Sequence, residues 1–210
     1  AVKTKEPFFT KDPSFFKAFF GMMIVVAMQN LVAHSINMVD NIMLGSYSQN
    51  ALSGATTVNQ IFFMVQQFAL SIGNALVAIS AQYWGEKRVS PIRTLTGIAL
   101  KLSFLISMVI ILLCTFIPRQ LLLLFTDSPE IISEGLEYLS LIKWTFVLYI
   151  FTNVFMAALR SVGTVNISFY ISVASLIVNV IINYTLIFGK FGFPEMGVKG
   201  AAIGTFAARI

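Results

Sequence analysis

The 210-residue chain is 57% hydrophobic and 11% charged, with a formal net charge of +5 and a mean hydropathy of +0.84. A soluble domain of this length has no interior large enough to hide that much apolar surface, so the composition excludes one and points to an all-α integral membrane protein. The charges cluster between long apolar runs, as in cytoplasmic loops, and no aromatic-plus-basic surface indicates a nucleic-acid partner.

Residues 1–14 read as a cytoplasmic N-terminal segment, and 15–210 as one transmembrane unit. Helices are expected at about 15–45, 51–84, 92–117, 131–160 and 164–189, each long enough to cross hydrocarbon. Pro118 stops the third. A sixth starts near 198 and has run about a dozen residues at Ile210, too few to cross at ~1.5 Å per residue. The chain therefore reads as a fragment with its sixth helix truncated, and Ala1 in place of Met agrees with that. The first apolar run is too long for a signal peptide. Cys114, the single cysteine, has no partner for an internal disulfide and reads as a small lipid- or core-facing residue.

Orientation follows from lysines and arginines in the short loops. Lys3, Lys5, Lys11 and Lys17 precede or open the first span; Lys87, Arg88 and Arg93 follow the second, and Arg160 the fourth. The alternate loops are poorer in basic residues, and the one reading "TDSPEIISEGLE" is acidic. The N-terminus is thus expected in the cytoplasm, with the odd spans running outward. Lys101 is expected to snorkel inward and Lys143 outward.

Polar residues within the spans form stripes. Gln29, Asn37 and Asp40 fall near one face of the first helix; Gln60, Gln67, Ser71 and Asn74 share a stripe on the second; Ser168, Ser172, Ser175, Asn179 and Asn183 align on the fifth. Such stripes serve interhelical packing or a hydrated cavity, and three in one six-helix unit favour the cavity. Asp40 is the sharpest member. As an interfacial or capping residue it would be structural. Inside a span, a carboxylate costs roughly 2.5–3.5 kcal/mol and usually marks an ion or proton path.

Depth narrows the choice. If the first span enters hydrocarbon near Ala18, Asp40 lies ~33 Å along the helix axis before tilt. From an entry near Ile167, Asn179 and Asn183 lie ~18 and ~24 Å along the fifth span. Thr205 lies ~10 Å inward from Val198 on the sixth, which enters from outside. One carboxylate and three neutral oxygen-bearing side chains thus reach similar depth from three helices, a ligand set suited to a hard monovalent cation. A proton could use the carboxylate alone.

"MVDNIMLG", "GNALVAISAQYWGEKR", "AALRSVGTVN", "LIVNVIINYTLIFG" and "GVKGAAIGTFAARI" occur in that order over nearly the whole chain. Together they resemble the N-terminal lobe of the multidrug and toxic compound extrusion (MATE) family. The resemblance implies a twelve-helix transporter of two six-helix lobes, of which this chain is the first, with the C-terminal lobe as its partner. It also implies export of small amphipathic, often cationic compounds in exchange for Na+ or H+, with no covalently bound cofactor. The family's first-lobe cation site corresponds to Asp40, Asn179, Asn183 and Thr205. Many members carry a second aspartate where this chain has Asn183; the asparagine removes one carboxylate, weakens a two-acid proton relay and leans the expectation slightly to sodium. Many also have a proline where Val25 precedes Gln29 by four residues, so a proline-driven bend of this helix is not expected.

Gln29, Asn37, Gln60, Gln67, Ser71, Asn74 and Ser175 are the expected cavity-lining residues. His34 lies off the Asp40 face and reads as a packed or interfacial histidine. Arg209 falls near mid-membrane and would be met by the missing lobe or a water-filled cleft. The expected setting is the plasma membrane, the inner one in a bacterium, in contact with lipid. Two other functions fit less well. A lipid-linked saccharide flippase would line its cavity with several basic residues, whereas the assigned stripes are neutral with one acid. A membrane scaffold or channel subunit would leave Asp40 structural. An enzyme is not expected, because no metal-spaced cluster or nucleophile–base pair is present.

Overall fold

A computed structural model describes residues 12–210, and the expected N-terminal segment lies largely outside them. The elements are α1 (Pro13–Tyr47), α2 (Gln49–Gly85), α3 (Val89–Phe116), α4 (Pro118–Leu123), α5 (Pro129–Ile142), α6 (Thr145–Ser161), α7 (Asn166–Ile187) and α8 (Gly197–Arg209). Among the described residues there is no strand. Among the described residues four helices are long and apolar enough to cross a membrane, and the bent pair α5–α6, taken as one span, brings the number to five.

The ends follow local chemistry. Asp12 caps α1 by accepting from Ser14 N at 2.9 Å, and Pro13 takes the first turn, where its missing N–H is not needed. Ser48, in extended backbone, ends α1 and caps α2, so a single residue turns the chain back on itself. Pro118 and Pro129 likewise open α4 and α5.

The fourth span differs from the expected continuous helix over 131–160. It is two helices, α5 and α6, bent by 54° at 143–144. No proline or glycine lies at the break. Instead the hydrogen-bond ladder tightens: Trp144 N donates to Leu141 O at 3.3 Å and Phe146 N to Lys143 O at 3.2 Å. The Thr145 hydroxyl donates to Ile142 O at 2.7 Å, satisfying a carbonyl that the break would strand. In a membrane such a break is tolerated where side chains take over the freed backbone groups. Lys143 donates to Thr115 Oγ1 of α3 at 3.0 Å, with its ammonium 5.4 Å from the Trp144 ring.

α2 is central, packing on α3, α5 and α6, while α1, α7 and α8 form the other side of the bundle. Its buried face, Ala51, Ala55, Val58, Phe62, Val65 and Ala69, recurs at three- and four-residue spacing and meets Leu139, Phe146 and Ile150. Phe62 stacks on Phe146 at 5.8 Å and meets Tyr149 edge-on at 4.9 Å. Cys114 is buried in this core. Outward positions such as Leu105, Val109, Leu112 and Phe116 on α3 are large and apolar.

α2 and α5 approach closely at Gly54. A Cβ there would lie 2.7 Å from Glu134 Cβ and 2.8 Å from the Gly135 backbone nitrogen. Neither atom can yield without separating the helices. Gly54→Val is therefore expected to cost about 1–3 kcal/mol through overpacking and to lower the thermal unfolding midpoint in detergent. Gly21→Ala, with no atom within 4 Å of its added Cβ, is expected to leave the midpoint unchanged or slightly raised.

Candidate functional site

Asp40 sits near the C-terminal end of α1 and is 95% shielded from solvent, its exposure being 5%. The other members of its group are equally enclosed: Asn179 and Asn183 on α7 and Thr205 on α8. Residues 179 and 183 are one helical turn apart, so both amides leave α7 on the side that faces α1 and α8.

The four side chains close a hydrogen-bonded ring. Asn183 Nδ2 donates to Asp40 Oδ1 at 2.5 Å and to Asn179 Oδ1 at 3.3 Å. Asn179 Nδ2 donates to Thr205 Oγ1 at 3.4 Å, and Thr205 Oγ1 donates to Asp40 Oδ2 at 3.2 Å. Both carboxylate oxygens are thus engaged, each from a different helix. Asn183 Oδ1 is buried with no hydrogen-bond partner. It points at Gly204, where any Cβ would collide with it. Gly204 therefore lets α8 come close enough to α7 for Thr205 to reach Asp40.

Beside the ring lies a cavity of about 290 Å³. Asn179 and Thr205 line it while also belonging to the ring, so the carboxylate is one side chain away from the cavity. Gln29, Asn37 and Ser175 line it as well, with Ser172. Gln29 Nε2 contacts Met156 Sδ at 3.1 Å, while its Oε1 is buried without a partner.

The expected stripe on α2 does not line this cavity. Gln60, Gln67, Ser71 and Asn74 are exposed on another face of the helix. The α2 residues that do line it are Phe62, Gln66 and Leu70, set by the packing of Val58, Phe62 and Val65 into the core. His34, exposed, lines the cavity.

The cavity is also more basic than the stripes imply. Arg160 and Arg209 line it, and among the described residues no Asp or Glu does. Arg209 meets partners inside this lobe: Nη1 donates to Thr145 Oγ1 at 2.5 Å, and the guanidinium lies 4.2 Å over the Phe62 ring and 5.3 Å from that of Tyr149. It is one turn beyond Thr205 on α8 and attracts Asp40 through space without a direct ion pair. Tyr138 of α5, buried, interacts electrostatically with both Asp40 and Arg209. Sequence reasoning missed Tyr138, because α5 carries no polar stripe that would single it out. The two arginines remove the ground on which a basic-lined flippase cavity was set aside. Among the described residues no three His, Cys, Asp or Glu side chains gather as a metal cluster.

The MatE family model matches residues 26–185. The probable multidrug resistance protein NorM of Thermotoga maritima is 31% identical over 182 residues, 86% of this chain and 39% of the relative. That of Rhizobium meliloti is 26% identical over 94% of this chain and 42% of the relative. A solved outward-facing multidrug resistance MATE family transporter of the MOP superfamily shares the fold at a TM-score of 0.82 and 20% identity, covering 92% of this chain and 42% of that one. The chain spans about two-fifths of the length of the curated relatives it matches. With the apolar helices, these matches make it part of a multi-pass membrane protein, one lobe of the transporter fold. The chain belongs to the MatE family, the multidrug and toxic compound extrusion transporters.

Proposed function

We propose that the full-length protein exports small amphipathic compounds, cationic ones included, in exchange for Na+ or H+, and that Asp40, Asn179, Asn183 and Thr205 bind the coupling cation. The observation that carries this reading is the sharing of Asn179 and Thr205 between the Asp40 ring and the cavity wall. A cation entering beside Asp40 displaces the two hydrogen bonds to the carboxylate. A half-turn of the Asn183 amide then presents Oδ1, which has no partner in the ring, as a further ligand. Asn179 and Thr205 must shift to complete the shell, and that shift alters the cavity wall. Cation and substrate are coupled because each favours a different arrangement of the same side chains. A cation bound equally well in both arrangements would drive nothing.

The single carboxylate, with an asparagine at 183, supports sodium over a proton relay. The basic residues that follow the second span, Lys87 and Arg88, support a cytoplasmic N-terminus in a plasma membrane, the inner membrane in a bacterium. The exposed polar stripe on α2 supports a C-terminal lobe as partner, since four polar side chains facing lipid would be unfavourable. The relatives' names support multidrug export over a flippase.

The full-length transporter in proteoliposomes tests this. Efflux of a fluorescent cationic dye under an imposed sodium gradient is expected for wild type and lost in Asp40→Asn at equal protein incorporation. Transport by the variant at the wild-type rate would make Asp40 structural and return the scaffold reading. Thr205→Val keeps the shape of the side chain and removes one oxygen ligand. It is expected to raise the half-saturating sodium concentration by about tenfold, the scale of one interaction with a charged group. An unchanged sodium dependence would take Thr205 out of the site.

A further inference from the structure

We propose that Arg209 is the built-in counter-charge of the cation site: held near Asp40 but short of contact, it leaves the carboxylate open to a cation and sets the affinity low enough for release. The inference rests on the reading of Asp40 as a cation ligand and adds the residue that regulates its affinity. Asp40 is a lone carboxylate, since the three side chains that share its ring are neutral. Arg209 is the cation whose charge acts on it, and Asp40 is the carboxylate whose charge acts on Arg209. The two do not touch, because neither ion pair among the described residues includes them. A cation site requires that gap. A guanidinium in contact would take both carboxylate oxygens with its planar fork and close the site. One much farther off would have no hold on the affinity.

The packing of α8 against α2 and the bent fourth span keeps Arg209 at its distance. Residue 209 lies one turn beyond Thr205, about 6 Å along α8 from the residue that touches Asp40. There Nη1 donates to Thr145 Oγ1 at 2.5 Å, and the guanidinium lies 4.2 Å over the Phe62 ring and 5.3 Å from that of Tyr149. Thr145 can accept this bond because its own hydroxyl hydrogen goes to Ile142 O. Counted with Arg209, the empty ring is neutral. Loaded with a monovalent cation it carries one positive charge, in surroundings that solvate charge poorly. Repulsion from Arg209 thus opposes loading and favours release. A guanidinium does not lose its proton, so the opposing charge is always present. Because it is tied to the bend at 143–144, a change in that bend moves the charge relative to Asp40 and changes the cation affinity; by reciprocity, cation binding biases the bend.

Equilibrium binding of radiolabelled sodium to the full-length protein in nanodiscs tests this. Arg209→Gln removes the charge and keeps a donor for Thr145. It is expected to tighten sodium binding by about tenfold, whereas loss of a merely structural residue would weaken it. If that variant does not fold, Arg209→Met takes its place. Arg209→Lys keeps the charge and is expected to stay within about threefold of wild type. Thr145→Val frees the guanidinium to close on the carboxylate. It is expected to weaken sodium binding by about tenfold, an effect that disappears when Arg209→Gln is added. Unchanged or weaker binding in Arg209→Gln overturns the proposal. So does equal tightening in Arg209→Lys, or a Thr145→Val effect that persists without the arginine. If wild type binds no sodium, the sodium reading of Asp40 fails, and thermal unfolding decides the counter-charge separately. Asp40→Asn strands Arg209, so adding Arg209→Gln is expected to recover part of the lost midpoint. Additive losses in the two variants overturn the proposal.

Discussion

A carboxylate enclosed among apolar helices has to be met by donors, and the arrangement of α1, α7 and α8 answers that requirement at Asp40. Its two oxygens take hydrogen bonds from Asn183 and Thr205, which belong to different helices. Those bonds form only if α7 and α8 approach α1 at one height and α8 approaches α7 closely. Gly204 permits the second condition, since a side chain there would occupy the space of the Asn183 amide. An unpaired buried polar group is costly where no water can reach it, so the ring both holds three helices together and makes them sensitive to whatever binds in it.

The break between α5 and α6 has a related logic. A span interrupted in mid-course frees backbone groups that lipid cannot satisfy. Thr145 takes the carbonyl of Ile142, and Arg209 in turn donates to Thr145. Arg209 is itself one turn from Thr205, the residue that touches Asp40. A short chain of contacts thus runs from the carboxylate through α8 to the bend of the fourth span. The same guanidinium lies over Phe62 and Tyr149, so the buried aromatic cluster and the polar ring meet at one residue.

Polar stripes were legible in the sequence, but what each faces was not. The stripes on α1 and α7 turn inward: Gln29, Asn37, Ser172, Ser175 and Asn179 reach the cavity. The stripe on α2 has the same spacing and turns out of the lobe. Helical periodicity says which residues share a face and says nothing of the direction of that face, which depends on the neighbours that bury the opposite side. On α2 that side is the row Val58, Phe62, Val65 and Ala69, placed in the core by α5 and α6. Gln66, next to the expected Gln67, reaches the cavity instead.

The sequence by itself determined the membrane class, the approximate course of the spans, and the convergence of Asp40, Asn179, Asn183 and Thr205 at one depth. Hydropathy and helical rise are properties of the chain in one dimension, so composition and counting suffice for them. Only the tertiary structure decided that the fourth span is bent at Lys143 and Trp144, because no proline or glycine marks a break held by Thr145 and Arg209. It alone placed two arginines and, among the described residues, no acid on the cavity wall, and Tyr138 beside the ring. Those facts depend on which helices are neighbours and how each is rotated about its axis. Packing between elements far apart in the chain sets both, and a linear pattern does not contain it.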